Sequence, residues 1–137
     1  MTMQNRAFAL DTNVLVYLHD LSTPSKRAIA NELLADNPKI PSQVISEYLN
    51  TCRRILHLTK DQLLKQTSEL MADCEIISVD TDTMAYASEL VVKYQFQLFD
   101  AIIVAASIEG KCDVLYSEDM QHKLVVDKRI TIINPFL

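Results

Sequence analysis

The sequence predicts an α/β domain built on a mostly parallel sheet of four or five strands, with helices on both faces in a three-layer α/β/α arrangement. Three observations carry that prediction. Short apolar runs alternate along the chain with longer stretches of helical periodicity, so that right-handed crossovers between parallel strands are the expected connections. One glycine and four prolines in 137 residues exclude long linkers and low-complexity segments, and 49% hydrophobic residues supply the core of a single domain over residues 1–137. Acidic residues also follow apolar runs directly, where open parallel sheets bind their ligands.

The first strand is read over Arg6–Leu10, followed by the polar turn Asp11-Thr12-Asn13 and a helix through Val14–Leu18. Pro24-Ser25 starts a second helix, Ser25 to Asp36, with Ala28, Ile29, Leu33 and Leu34 as its apolar stripe. Lys39-Ile40-Pro41 is the next strand, and Ser42 is expected to N-cap a helix from Gln43 to His57. Glu47 falls roughly 60° beyond the edge of that helix's stripe, a position beside the sheet's rim or in solvent. Thr59 caps a helix over Lys60–Asp73, Glu75–Val79 reads as a strand, and Asp80-Thr81-Asp82 opens the following helix.

Asp100 stands at the mouth of a helix in which Ala101–Ile108 is apolar except for Ser107, so nearly every side of it should be buried. It ends at Gly110, where a left-handed residue is expected. Asp113–Tyr116 is a strand, Ser117-Glu118-Asp119 opens a short polar turn, and Ile130–Ile133 is the last strand, closed by Asn134-Pro135.

Several chemistries are excluded by what the chain lacks. Cys52, Cys74 and Cys112 are odd in number and widely spaced, which argues against a disulfide framework or a zinc site. His19, His57 and His122 have no partner at metal-ligand spacing, and neither a nucleophile elbow nor a glycine-rich phosphate loop occurs. The polar segment Met1–Arg6 and the absence of any run near 18 apolar residues predict a cytoplasmic protein. A net charge of −5 disfavours a nucleic-acid partner at face value. That objection weakens if four of the acids hold divalent cations, because the rest of the chain is then close to neutral.

Four acids are the candidates. Asp11 and Asp119 each follow a strand end, Asp100 begins a helix entering the same layer, and Glu47 rides on the helix after the second strand. Taken singly, each also reads as a helix-start or solvated acid. Taken together on one rim they would raise one another's pKa, a conflict that a divalent cation removes. Oxygen donors without histidine or cysteine point to Mg²⁺ or Mn²⁺, and one or two such ions suit phosphodiester hydrolysis.

The blocks Leu10-Asp11-Thr12-Asn13-Val14-Leu15-Val16-Tyr17, Ser42-Gln43-Val44-Ile45-Ser46-Glu47-Tyr48, Phe99-Asp100-Ala101-Ile102-Ile103-Val104-Ala105-Ala106 and Leu115-Tyr116-Ser117-Glu118-Asp119-Met120-Gln121 together resemble the four acidic blocks of PIN-domain nucleases. The resemblance is specifically to VapC-type toxins of toxin–antitoxin pairs, in order and in spacing, and it covers essentially the whole chain. It implies a single PIN-like domain in which Asp11, Glu47, Asp100 and Asp119 are metal-binding and catalytic, with Asp11 and Asp100 the central pair. It also implies polar support from Asn13 and Ser117, a homodimer, cleavage of RNA such as tRNA, and inhibition by a cognate antitoxin protein. Glu118 neighbours Asp119 and remains open as an alternative ligand. Arg53, Arg54 and Lys60 form the densest basic group near Glu47, a place for RNA backbone or a solvated helix end. A PIN-like module that binds RNA or protein without cutting, and a receiver-like phosphoacceptor domain, stand as alternatives. The second expects paired acids after the first strand and a late lysine, whereas this chain has Asp11 alone and Ser117-Glu118-Asp119.

Overall fold

The computed structural model describes residues 6–137; the polar segment 1–5 lies outside the described residues. Strands β1 (Phe8–Leu10), β2 (Lys39–Pro41), β3 (Glu75–Ile77), β4 (Val114–Tyr116), β5 (Val125–Val126) and β6 (Ile130–Ile133) make one sheet in the order β3-β2-β1-β4-β6-β5. Five of them pair in parallel and β5 is antiparallel to β6. The expectation of four or five strands therefore holds for the parallel part and misses a sixth, read from sequence as a polar turn.

The missed hairpin has a physical explanation. Asp127 and Lys128 both adopt positive φ, and Arg129 N donates to Val126 O across the turn, an arrangement that ordinarily signals itself as Asn-Gly or Asp-Gly. Here tertiary bonds hold it instead. Asp127 accepts from Tyr86 OH at 2.6 Å, Lys93 Nζ at 2.7 Å and Tyr94 OH at 3.0 Å, so the hairpin is stapled to a helix 33 to 41 residues earlier in sequence.

Among the described residues, six helices flank the sheet: α1 (Thr12–Val16, extended by a 3₁₀ turn over Tyr17–His19), α2 (Pro24–Ala35), α3 (Ser42–Leu56), α4 (Lys60–Asp73), α5 (Thr81–Tyr94) and α6 (Leu98–Glu109). The caps of α4 and α5 follow the sequence reading, each as a reciprocal capping box, Thr59 with Gln62 and Asp80 with Thr83. Ser42 does not cap α3. Pro41 takes that place, and Ser42 Oγ accepts from Val79 N at 3.0 Å, which ties the start of α3 to the end of the neighbouring strand segment.

Helix α6 is buried at every position from Ala101 to Ile108, as its composition predicts. Gly110 is not left-handed: its φ is −75°, and the positive φ falls on Lys111. The glycine is required for room. A Cβ there would meet Ile77 Cδ1 at 2.5 Å and Cγ1 at 2.9 Å, because the end of α6 crosses the buried tip of β3. Among the described residues, no single helix is long and apolar enough to cross a membrane.

Strand order reverses between β1 and β4, with β2 and β3 on one side and β6 and β5 on the other. Their ladder, Phe8 with Val114 through Leu10 with Tyr116, is prolonged by Asp11 N donating to Tyr116 O at 2.9 Å. The residues after these two strands therefore face one crevice at the topological switch point.

Candidate metal centre

Asp11 is the deepest acid of that crevice, with only 4% of its surface exposed. It is the N-cap of α1, and its Oδ1 accepts from Thr12 N at 2.7 Å. Its other oxygen accepts from Ser117 Oγ at 2.7 Å and from Asn13 Nδ2 at 3.4 Å. Burial pushes the Asp11 carboxyl up to about 6, against the lowering effect of the Ser117 and Thr12 bonds, with repulsion from Asp100 and Glu47 adding to the rise.

Asn13 spans the two strand ends. Its Nδ2 donates to Asp119 Oδ2 at 3.1 Å, and its Oδ1 accepts from Glu118 N at 3.2 Å. Asn13 and Ser117 thus both touch the acids they were expected to support.

Asp100 is the third residue of α6, not its N-cap; that position belongs to Gln97. The carboxylate is consequently not consumed in capping. Burial raises its pKa and so does repulsion from Asp119. Glu47, one turn beyond Gln43 on α3, accepts from Gln43 Nε2 at 3.3 Å, and burial followed by repulsion from Asp100 raises its pKa as well. All four acids line one cavity of about 440 Å³, together with Thr12, Asn13, Tyr17, Asp20 and Thr51.

Glu118 does not line that cavity. Its Oε1 accepts from Tyr17 OH at 2.6 Å and its Oε2 from Lys26 Nζ at 2.5 Å. Burial alone would raise its pKa, but the Lys26 and Tyr17 hydrogen bonds outweigh it and hold the carboxylate below its ordinary value. Of the neighbouring pair, Asp119 is the one in the crevice.

Asp20 is a wall residue that sequence reasoning passed over. Its Oδ1 accepts from Ser22 N at 2.9 Å and Ser22 Oγ at 2.6 Å, an Asx turn whose Asp-x-Ser spacing was legible but whose place in the crevice was not. The basic group divides. Arg53 and Lys60 lie with Leu49, Leu63 and Leu64 in a separate groove between α3 and α4. Arg54 follows Glu47 by seven residues and so returns to nearly the same helix face, which also carries the wall residue Thr51.

The donor set is entirely oxygen, and Thr12 Oγ1 on the cavity wall is buried without a hydrogen-bond partner. These features fit a hard divalent cation. Among the described residues, no three of the acids stand close enough to grip an ion as they are placed, so binding one requires side-chain movement.

The model of the PIN domain family matches residues 8–127. Among solved structures, a toxin–antitoxin complex from Klebsiella pneumoniae superposes with a TM-score of 0.67 at 21% identity, covering 94% of this chain and 97% of that one. VapBC2 from Rickettsia felis, bound to a DNA fragment from their promoter, gives 0.67 at 17% identity over 92% and 96% of the two chains. Mycobacterium tuberculosis VapC20, a sarcin–ricin loop cleaving toxin, gives 0.67 at 16% identity over 82% and 90%. At such identities the likeness is one of fold. No curated protein matches the chain in sequence.

Proposed function

The chain belongs to the PIN domain family, and on that premise we propose that it is a metal-dependent endoribonuclease, the toxin of a toxin–antitoxin pair. The observation that carries this reading is the set of four carboxylates, Asp11, Glu47, Asp100 and Asp119, lining one cavity where the strand order reverses. Three of them have pKa values raised first by burial and further by a neighbouring acid, so each charge is costly in the protein alone and a cation would offset that cost.

In this reading the four acids hold Mg²⁺ or Mn²⁺. The bound ion would stabilise charge developing on the scissile phosphate and lower the pKa of an attacking water. Ser117 and the Thr12 amide hold the orientation of Asp11 through one hydrogen bond to each of its oxygens. Asn13 holds Asp119 through a bond to one oxygen.

The substrate is RNA, and Arg54 is the residue we assign to its backbone. Two helical turns from Glu47 correspond to about 10 Å, which places a cation one or two phosphates away from the reacting bond. Arg53, by contrast, is turned to the other groove and donates to Asn50 Oδ1 at 3.3 Å. The antitoxin partner is inferred from the toxin–antitoxin assemblies that share the fold. Self-association as a homodimer is supported by the exposed apolar strip of Met84, Leu98 and Phe99 on α5 and α6.

The test is direct. Purified chain free of any partner should cut RNA, such as tRNA, on addition of Mg²⁺ or Mn²⁺ and stop on chelation. Arg54→Ala should raise KM, leave kcat unchanged, and reduce the salt dependence of binding by about 0.7 in log–log slope, whereas Arg53→Ala should do neither. Metal binding with no turnover would favour the non-cutting module instead.

A further inference from the structure

Glu118, excluded from the crevice, is the centre of a second network that shares Tyr17 with the crevice wall and draws its hydroxyl to the Glu118 carboxylate. Lys26 of α2 and Tyr17 of the 3₁₀ turn both bond its carboxylate, and Lys26 Nζ also donates to Tyr17 OH at 3.2 Å. The ammonium lies 4.9 Å from the centre of the Tyr17 ring and 5.5 Å from that of Phe136, and those two rings meet edge to face at 5.0 Å. A carboxylate and an ammonium are thus paired, partly shielded, and clamped between aromatic groups from both ends of the chain.

This network bears on the acids through the backbone of the residue it holds. Glu118 N donates to Asn13 Oδ1, and that bond decides which way the Asn13 amide points. With its oxygen committed there, Asn13 must present its Nδ2 to Asp119 Oδ2 and Asp11 Oδ2. On the preceding side, Ser117 Oγ donates to Asp11 and also accepts from Met120 N at 3.4 Å. Anchoring the Glu118 side chain therefore fixes a loop through which both strand-end acids are oriented.

We propose that Lys26, Tyr17 and Glu118 form a latch that positions Asp11 and Asp119 for cation binding, with Glu118 a positioning residue and not a ligand. The inference rests on the reading of the crevice as a metal centre, and its sign separates it from simpler accounts. Removing the Lys26 charge beside an acidic crevice would tighten cation binding if electrostatics alone mattered. It would also tighten binding if Glu118 were a ligand, because the carboxylate would be released. A latch predicts the opposite.

The experiment is calorimetric titration of Mn²⁺ into the full chain without RNA. Lys26→Met should weaken binding about tenfold, in the range usual for the outer partners of metal ligands. Tyr17→Phe, which keeps the ring against Phe136 and changes no charge, should weaken it in the same direction, and Lys26→Arg should restore most of the affinity. Equal or tighter binding by Lys26→Met overturns the latch. If that variant does not fold, Tyr17→Phe decides, and wild-type affinity in it overturns the proposal. Should the wild type bind no Mn²⁺, the metal reading itself fails. The side-chain amide resonances of Asn13 then decide the latch, since they should shift in Tyr17→Phe and an unchanged spectrum refutes it.

Discussion

Replacing Asp100 with asparagine is expected to lower metal-dependent RNA cleavage by about 10²–10³-fold, equivalent to several kcal/mol of lost transition-state stabilisation, and at the same time to make the metal-free protein harder to unfold. The two effects have one cause. Asp100 is partly buried at the start of α6, is not used as a cap, and faces Asp119 across the crevice, so its charge is disfavoured until something positive offsets it. Asparagine keeps the shape and removes the charge, relieving the folded state while discarding a ligand. Cleavage of a defined RNA with Mn²⁺ and thermal unfolding in chelator measure the two halves separately. Cleavage by the variant at the wild-type rate would refute the mechanism, and a lower unfolding temperature would refute the electrostatic account.

The second large effect is a dependence of stability on pH that runs opposite to ordinary acid denaturation. An unfolded aspartate titrates near 3.9, whereas Asp11 in the folded chain titrates at about 6. Between those values the folded chain keeps a proton that the unfolded chain has released. Stability from this group is therefore fully present below about pH 4 and is lost as pH rises to about 6, by about 3 kcal/mol in total. Asp127 works the other way: its carboxyl is held down to about 2 by Lys93 and Tyr86, so its contribution is present above about pH 4 and disappears on acidification towards 2. Urea unfolding in chelator should thus show a wild-type protein more stable at pH 5 than at pH 7.5, and Asp11→Asn should flatten that difference. Saturating Mn²⁺ should restore stability at pH 7.5, by about 2.7 kcal/mol at one hundred times its dissociation constant. A wild-type protein equally stable at the two pH values would remove the premise that Asp11 is forced to carry its charge in a desolvated place.

Much of this is legible in the amino-acid sequence. The strand Lys39–Pro41, the helix Lys60–Asp73 with its Thr59 cap and the buried run Ala101–Ile108 all follow from local rules, because period, cap and turn chemistry act within a few residues. Where local rules misled, a distant partner had intervened. Ser42 carries the ideal side chain for an N-cap but gives its oxygen to Val79, and Gly110 looks like a helix terminator but serves to clear Ile77. Val125–Val126 pairs as a strand beside a turn whose Asp127 is stapled to α5, with Val126 fully buried.

The division is sharpest at the candidate site. Residue type and spacing are local properties, and they alone establish which acids are available, that no histidine or cysteine accompanies them, and the order in which their blocks occur. It takes the folded chain to bring Glu47 into one cavity with the other three, to stand Asp20 beside them, and to turn Glu118 away to Lys26 while its neighbour Asp119 turns in. The reason is that a carboxylate's role depends on what surrounds it. Burial, a hydroxyl donor, a facing cation or a second acid moves its pKa up or down, and for Asp11 the hydroxyl of Ser117 lies 106 positions away in the chain.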